Sequence, residues 1–492
     1  MGKDIYRSVS NKPLNEDVLE FISSLKEDRW IWEEDIIGTE VHNIMLYEQD
    51  FLNDKEIKMI LRSLENIKKR PIANELKTNK TFEDVHPFIE KAVIDEIGIK
   101  IGGKIHTGRS RNDQVSVDLR LKIRKELNLL STNLFKFIDV IFELATKKLK
   151  VLMPLYTHLQ RGQLGTFSQY LLNYIAQMLR NLNRVEELYN RINQNPLGAC
   201  AIGGTSIKID RQRTTELLGF QKIIENSVDA ISSRDYIYET LCCLSIISLQ
   251  LSRIAEDLIL WSSKEFSFVE LDEQFCSVSS VMPQKKNPDT LELIRSKSSR
   301  VISNLFTSSL IIKAIPSGYF RDFQELKMLL KRSFNLLNPK IKLLSGIFLT
   351  IKINENKMLQ AINDSFILAL DLAELLVQDY NIAFRNAHKI VANLVKSSDT
   401  TQDLFQKDRI ENEIYKITGQ KIELKQQFTD EFESLYTLLE KRGSRGAPST
   451  KEMLRQMKIY KNERERLYLA FIKRIEELRA SDKLRKEIIK KL

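Results

Sequence analysis

The chain has 492 residues, of which 76 are Lys or Arg and 66 Asp or Glu, giving a formal net charge of +10. With 42% apolar and 29% charged residues it has the composition of a globular protein with a large core, and its length suggests about two to four domains. The four cysteines and five histidines show no metal-ligand spacing, no run of about 18 apolar residues occurs, and no apolar core follows a basic start; a metal centre, a membrane span and a secretory signal are not expected, and a reducing cytoplasm is.

Only 17 glycines and 10 prolines punctuate the chain, which favours helix. Residues 109–153, 166–195 and 220–282 contain neither and predict long helices. Within the last, Leu244, Ile247, Leu251, Ile254 and Leu258 alternate at spacings of three and four, the pattern of a helix packed along one stripe. A 30-residue helix is about 45 Å long, and several side by side leave apolar faces that only further copies of the chain can cover. Adjacent Cys242 and Cys243 fall in such a run and read as buried thiols. Residues 451–492 hold 14 Lys or Arg against 7 Asp or Glu, a local charge of +7, with Tyr468, Phe471, Ile475 and Leu478 at helical spacing. Mixed charge with an apolar stripe favours a helix packed on the body over nucleic-acid or membrane-surface binding.

The chemistry concentrates in Ser279-Ser280-Val281-Met282-Pro283-Gln284-Lys285-Lys286-Asn287-Pro288. The two prolines make it a shaped loop that holds hydroxyls, ammonium groups and an amide together. Upstream lie His106-Thr107-Gly108-Arg109-Ser110-Arg111-Asn112-Asp113-Gln114, Tyr156-Thr157-His158-Leu159-Gln160 and Asn195-Pro196-Leu197-Gly198, the last followed by Gly203-Gly204-Thr205 and Asp210-Arg211. In order, over about residues 30 to 450, these resemble the signature motifs of the argininosuccinate lyase family within the fumarase/aspartase superfamily, which releases fumarate by β-elimination. The resemblance implies an all-α, three-domain elongated subunit whose long central helical bundle is completed in a homotetramer, with active sites shared between protomers. On that pattern residues 1–108 form an N-terminal helical domain, 109–360 the central bundle, 361–450 a C-terminal helical domain and 451–492 a basic extension that family members of ordinary length lack.

The resemblance also implies roles. Ser279 takes the place of the catalytic serine, with Lys285 stabilising its anion and Asn287 adding a donor. His158, beside Thr157, is the second proton-transfer group, and Glu292 raises its basicity; which of Ser279 and His158 removes the proton stays open, with Ser279 favoured as base. Arg111, Asn112 and Ser110 suit substrate carboxylates. Tyr319, Gln324 and Lys327 bind the arginine-derived end, with the last two on one face of a helix beginning near Asp322. Thr39, Asp84, His86 and Arg234 match shorter segments. No metal and no organic cofactor is implied, and argininosuccinate is the expected small-molecule partner, with no membrane and no nucleic acid. Val278 departs from the glycine that usually precedes the serine pair, so any left-handed backbone there must be absent or strained. Adenylosuccinate lyase would share the serine loop but not His106–Gln114 with Lys285–Asp289. A silent structural relative using its basic tail as a scaffold is opposed by the presence of Ser279, His158, Lys285 and Asn112.

Overall fold

A computed structural model describes residues 14–425, 432 and 434–492. The N-terminal part is built on α1 (Trp32–Glu48), α2 (Asp54–Lys68) and α3 (Val85–Ile97). α2 is an ordinary amphipathic helix: Asn53 and Glu56 form a capping box, and Ile57, Ile60, Leu64 and Ile67 are buried. α1 differs, because Glu34, Asp35, Thr39, Glu40, His42 and Asn43 are buried along with its apolar residues. Buried polar groups must find partners, and those on α1 build one wall of the site described below.

α4 (Arg111–Lys147) runs for 37 residues, about 55 Å at 1.5 Å per residue, and starts on a Ser110–Asp113 capping box. A hairpin follows, β1 (Leu152–Thr157) with β2 (Gln160–Thr166), then α5 (Phe167–Ile192) and α6 (Asp235–Ser262). A second, minimal hairpin pairs β3 (Ser277–Val278) with β4 (Lys286–Asn287) and leads into α7 (Asp289–Ser296), α8 (Ser298–Ile312) and α9 (Gln324–Thr350). Leu134 and Phe137 of α4, Ile175 and Met178 of α5, Phe334 and Leu337 of α9 and the Leu244–Leu258 stripe of α6 share one core, and no residue of that stripe is more than 1% exposed. The expected all-α class is what the structure shows.

The Gly- and Pro-free stretch 220–282 is not one helix. Asn226 caps a short helix, Ser227–Ser232, by accepting from the amides of Val228 and Asp229, and α6 begins only at Asp235. Side-chain caps, which compete locally for backbone groups, divide this segment without glycine or proline.

α10 (Ala369–Tyr380), α11 (Phe384–Lys396) and α12 (Lys407–Thr418) pack Leu372, Leu376, Ile390, Ile410 and Ile414 into a separate cluster with Leu164 of β2. The last helix, α13 (Thr450–Lys491), lies over α4 and α5 and buries Met453, Leu467 and Phe471, with Tyr468 edge-on to Phe135 at 5.2 Å and Ile475 and Leu478 against the same core. Arg474 stacks on Tyr189 at 4.1 Å. Its final turns reach the N-terminal part, where Leu484, Ile488, Ile489 and Leu492 join the core of α1 to α3 and Arg485 donates to the buried Glu40 at 3.1 Å. Gly219, at φ +63°, permits that approach: a Cβ there would sit 3.0 Å from Ser481 Oγ. The predicted stripe therefore packs on the body as expected.

Candidate active site

A cavity of about 420 Å³ opens where the first turns of α3, α4 and α9 converge. Nine sequence candidates line it: Asp84, His86, Ser110, Arg111, Asn112, Arg234, Tyr319, Gln324 and Lys327. Local structure explains their positions. Asp84 is the N-cap of α3, Ser110 the N-cap of α4, and a 3-10 turn at Arg321–Phe323 hands over directly to α9, so Gln324 and Lys327 share its first turn.

Three of the cavity's cations, Arg111, Arg321 and Lys327, are held by carboxylates. Arg111 pairs with Asp84 and lies 3.5 Å from Glu83; Arg321 pairs with Glu83; Lys327 pairs with Asp28 and donates to Ser24 Oγ at 3.3 Å. Gln324 donates to the Ile22 carbonyl at 3.2 Å, and Asn112 to the Ala201 carbonyl at 2.9 Å. Arg234 lies on the face of Phe323 at 4.5 Å and donates to the Ile231 and Ser233 carbonyls, while its Nε and Nη2 are buried without a partner among the described residues. A substrate with several carboxylates would exchange with these internal anions, which keep the cations oriented meanwhile.

Behind the cavity, Asp113 is buried and accepts from the amides of Ser110, Gly198 and Cys200 at 2.9–3.0 Å, which ties the start of α4 to the Pro196–Gly198 loop; burial pushes its carboxyl up to about 6. Thr39 is not on the cavity surface: it is 1% exposed and its hydroxyl accepts from Arg109 at 3.0 Å. His42 and His106 are both pushed down to about 3, first by burial and then by Arg109, and stay neutral. Asp35, His86 and Asp118 are close enough to share a metal ion, with ligand atoms within 4.8 Å of one another. However, His86 Nδ1 already bonds Asp35 at 2.8 Å and Arg109 supplies positive charge, so the group fits a hydrogen-bonded ion cluster better than a cation site.

Thr157 and His158 lie elsewhere, exposed at the tip of the β1–β2 hairpin. Thr157 pairs with Gln160, leaving His158 and Leu159 as a two-residue turn with φ +55° and +58°. Such a turn normally takes Asn or Gly, and a leucine in the left-handed region costs about 1–2 kcal/mol. Strain of this kind is kept where it serves to present a side chain. Ser279 stands on a third element, the tip of the β3–β4 hairpin, where its hydroxyl accepts from the amides of Val281 and Met282 at 3.3 and 2.9 Å. Lys285 is exposed there, Asn287 lies in β4 and Glu292 is exposed on α7. Val278 is extended, so the positive φ that a glycine would permit is absent. Among the described residues, no hydrogen bond or ion pair joins His158 to Glu292, nor either hairpin tip to the cavity.

Sequence reasoning did not single out Asp28, Asp35, Ser24, Gln114 or Arg321. Asp35 had a signal, since it precedes Gly38 and Thr39 by three and four residues on one helix and so shares their face. Asp28 and Ser24 had none, because their partner Lys327 is about 300 residues away.

A lyase family model matches residues 15–303, and one described as the argininosuccinate lyase C-terminal region matches residues 366–434. An argininosuccinate lyase of Nitrosopumilus maritimus is 43% identical over 392 residues, 80% of either chain, and one of Methanocaldococcus jannaschii is 39% identical over 457 residues, 92% of either. In structure the chain is similar to EDDS lyase in complex with formate, with a TM-score of 0.86 and 26% identity, covering 97% of this chain and 94% of that one. The remainder left by that match is shorter than the 42-residue α13, so part of α13 lies within the matched region. Motifs, fold and identity over most of the chain agree: it belongs to the argininosuccinate lyase family.

Proposed function

We propose that the protein catalyses the reversible β-elimination of argininosuccinate to L-arginine and fumarate, the last step of arginine biosynthesis, as a homotetramer in the cytoplasm and without metal or organic cofactor. One observation carries this reading: the cavity gathers the residues expected at the arginine-derived end, whereas the two proton-transfer residues stand exposed on separate hairpin tips. A protomer so arranged is incomplete, and copies placed against one another would supply each cavity with another chain's His158 and Ser279. An apolar face supports assembly, with Leu249 of α6, Leu293 of α7, Phe306 and Leu310 of α8 and Leu349 of α9 each about half or more exposed. We also propose that residues 1–108, of which 1–13 lie outside the described residues, 109–360 and 361–450 are three domains, with residues 451–492 as a helix spanning the first two; the three main apolar clusters support this division.

In the reaction Ser279 removes the proton from the carbon beside a carboxylate, with its anion stabilised by Lys285, and Asn287, Asn112 and Thr157 donate to the doubly charged intermediate. His158, paired with Glu292 of another protomer, relays a proton to the departing guanidinium nitrogen. Arg111, Ser110, Arg234, Asp84, Tyr319, Gln324 and Lys327 hold the substrate. Among the described residues no helix is long and apolar enough to cross a membrane, and the four cysteines are unpaired, which agrees with a reducing compartment. The test is fumarate release by purified protein from argininosuccinate, adenylosuccinate and aspartate, with and without a chelator. Argininosuccinate should be the preferred substrate and the chelator should have no effect. Preference for adenylosuccinate, or loss of activity with the chelator, would overturn the reading.

A further inference from the structure

The β1–β2 hairpin is braced at its base and strained at its tip. Below the tip, the Tyr156 ring packs on Phe266 and Phe268 at 5.6 and 6.4 Å, Arg161 donates to the Asp364 carbonyl at 3.0 Å, and Thr157 pairs with Gln160. Both tip residues, His158 and Leu159, are left-handed. Presenting His158 accounts for only half of that. Glycine or asparagine after it would make the same turn at lower cost, yet the chain places a leucine there and leaves it 66% exposed. Leu159 borders a cleft at the foot of the hairpin and belongs to none of the apolar clusters among the described residues. Its side chain therefore brings backbone strain and apolar exposure, with nothing gained inside one protomer.

A seat of matching chemistry lies beside the cavity. Ile202 and Phe320 are exposed apolar side chains next to Gly318, where a Cβ would lie 3.8 Å from the first and 3.5 Å from the second. Their chain neighbours belong to the site: Asn112 donates to the Ala201 carbonyl, and Tyr319 and Arg321, on either side of Phe320 in sequence, line the cavity. The pair is thus an apolar patch at the cavity rim, one residue away from groups of the site. The reading proposed above brings His158 to this cavity from another copy, and the residue next to His158 must then land near the rim. We propose that Leu159 seats on Ile202 and Phe320 of another copy and thereby fixes His158 over that copy's cavity. Leu159 is then a positioning residue, and burial on the patch removes the apolar area that the turn exposes. The inference rests on the function and the shared site proposed above.

Fumarate release from argininosuccinate by a set of variants tests it. Leu159→Asn keeps a residue that tolerates the left-handed turn and removes the apolar contact, whereas Leu159→Met keeps the contact. In Leu159→Asn kcat should fall by about tenfold to a hundredfold with KM within about threefold, and in Leu159→Met kcat should stay within about threefold of wild type. Because Leu159 acts through His158, adding Leu159→Asn to His158→Asn should lower the residual activity by less than about twofold. Ile202→Ser should lower kcat as Leu159→Asn does, which keeps the inference open to refutation if Leu159→Asn does not assemble, and the two together should lose no more than the larger single loss. Full activity in Leu159→Asn or in Ile202→Ser, losses that multiply in either double variant, or an equal loss in Leu159→Met would overturn the seat alone. A wild-type protein that releases no fumarate from argininosuccinate, or does so as a monomer, would overturn the reading on which the seat depends.

Discussion

Lys340 lies on α9 immediately after Pro339, 3% exposed in the middle of the bundle, and its ammonium donates to the hydroxyls of Ser248 and Ser298 at 3.1 and 3.0 Å. No carboxylate pairs with it among the described residues. Burial, and then the charge of Lys297, push its pKa down from 10.5 to about 8. At 1.36 kcal/mol per pH unit, that difference disfavours the charged form in the folded protein by about 3 kcal/mol. The folded state binds fewer protons here than the unfolded state between about pH 8 and 10.5, so stability is lowest below that window and rises through it. Lys340→Met removes the penalty with little change in shape, but gives up two hydrogen bonds of about 1 kcal/mol each. The variant should gain about 1–2 kcal/mol at pH 7 and lose that advantage by pH 10, where the wild-type protein has recovered most of the penalty. Urea unfolding of both proteins at one fixed protomer concentration, at pH 7 and pH 10, measures this. A variant less stable than wild type at pH 7, or one with an unchanged pH slope, would refute the reasoning.

Ser279→Ala should leave the melting curve unchanged, because the side chain sits in a turn outside the core, and should lower kcat by at least about a hundredfold; wild-type turnover would dismiss the β3–β4 loop as catalytic. Arg485→Met strips the buried Glu40 of one of its two cationic partners, the other being Lys68. Burial pushes Glu40 up to about 7, so the fall in melting temperature should be larger at pH 8, where the carboxyl is charged, than at pH 6; the opposite order would refute the ion pair. Because α13 fills two cores, truncation after residue 450 should give a protein that melts far lower or fails to fold, and a truncated protein of normal melting temperature would contradict the packing described.

Much of the helical framework was legible, because a stripe such as Leu244–Leu258 reports its own burial through spacing. Helix ends were less so: Asn226 and Ser110 close or open helices by side-chain capping, a weaker signal than glycine or proline. The hairpin under His158 was hidden because a left-handed His-Leu pair runs against local preference and is held only by its surroundings. The site motifs named most of the cavity wall, since Asp84, Ser110 and Lys327 sit at helix starts that local signals mark. Their partners were not legible. Lys327 meets Asp28, and Arg485 meets Glu40, across separations of 299 and 445 residues that no local pattern encodes. Nor does the sequence alone say that His158 and Glu292 lack contact within one protomer.

The central claim, that one active site is assembled from several chains, is tested most directly by mixing two inactive proteins. His158→Asn subunits and Lys327→Ala subunits are unfolded together in equal amounts, refolded and assayed for fumarate release from argininosuccinate. If the two residues of a site come from different protomers, random assembly leaves about one quarter of the sites intact, and activity should return to about that fraction of wild type. No recovery, in tetramers shown to contain both kinds of subunit, would mean that His158 and Lys327 serve the same site from one chain and would contradict the account.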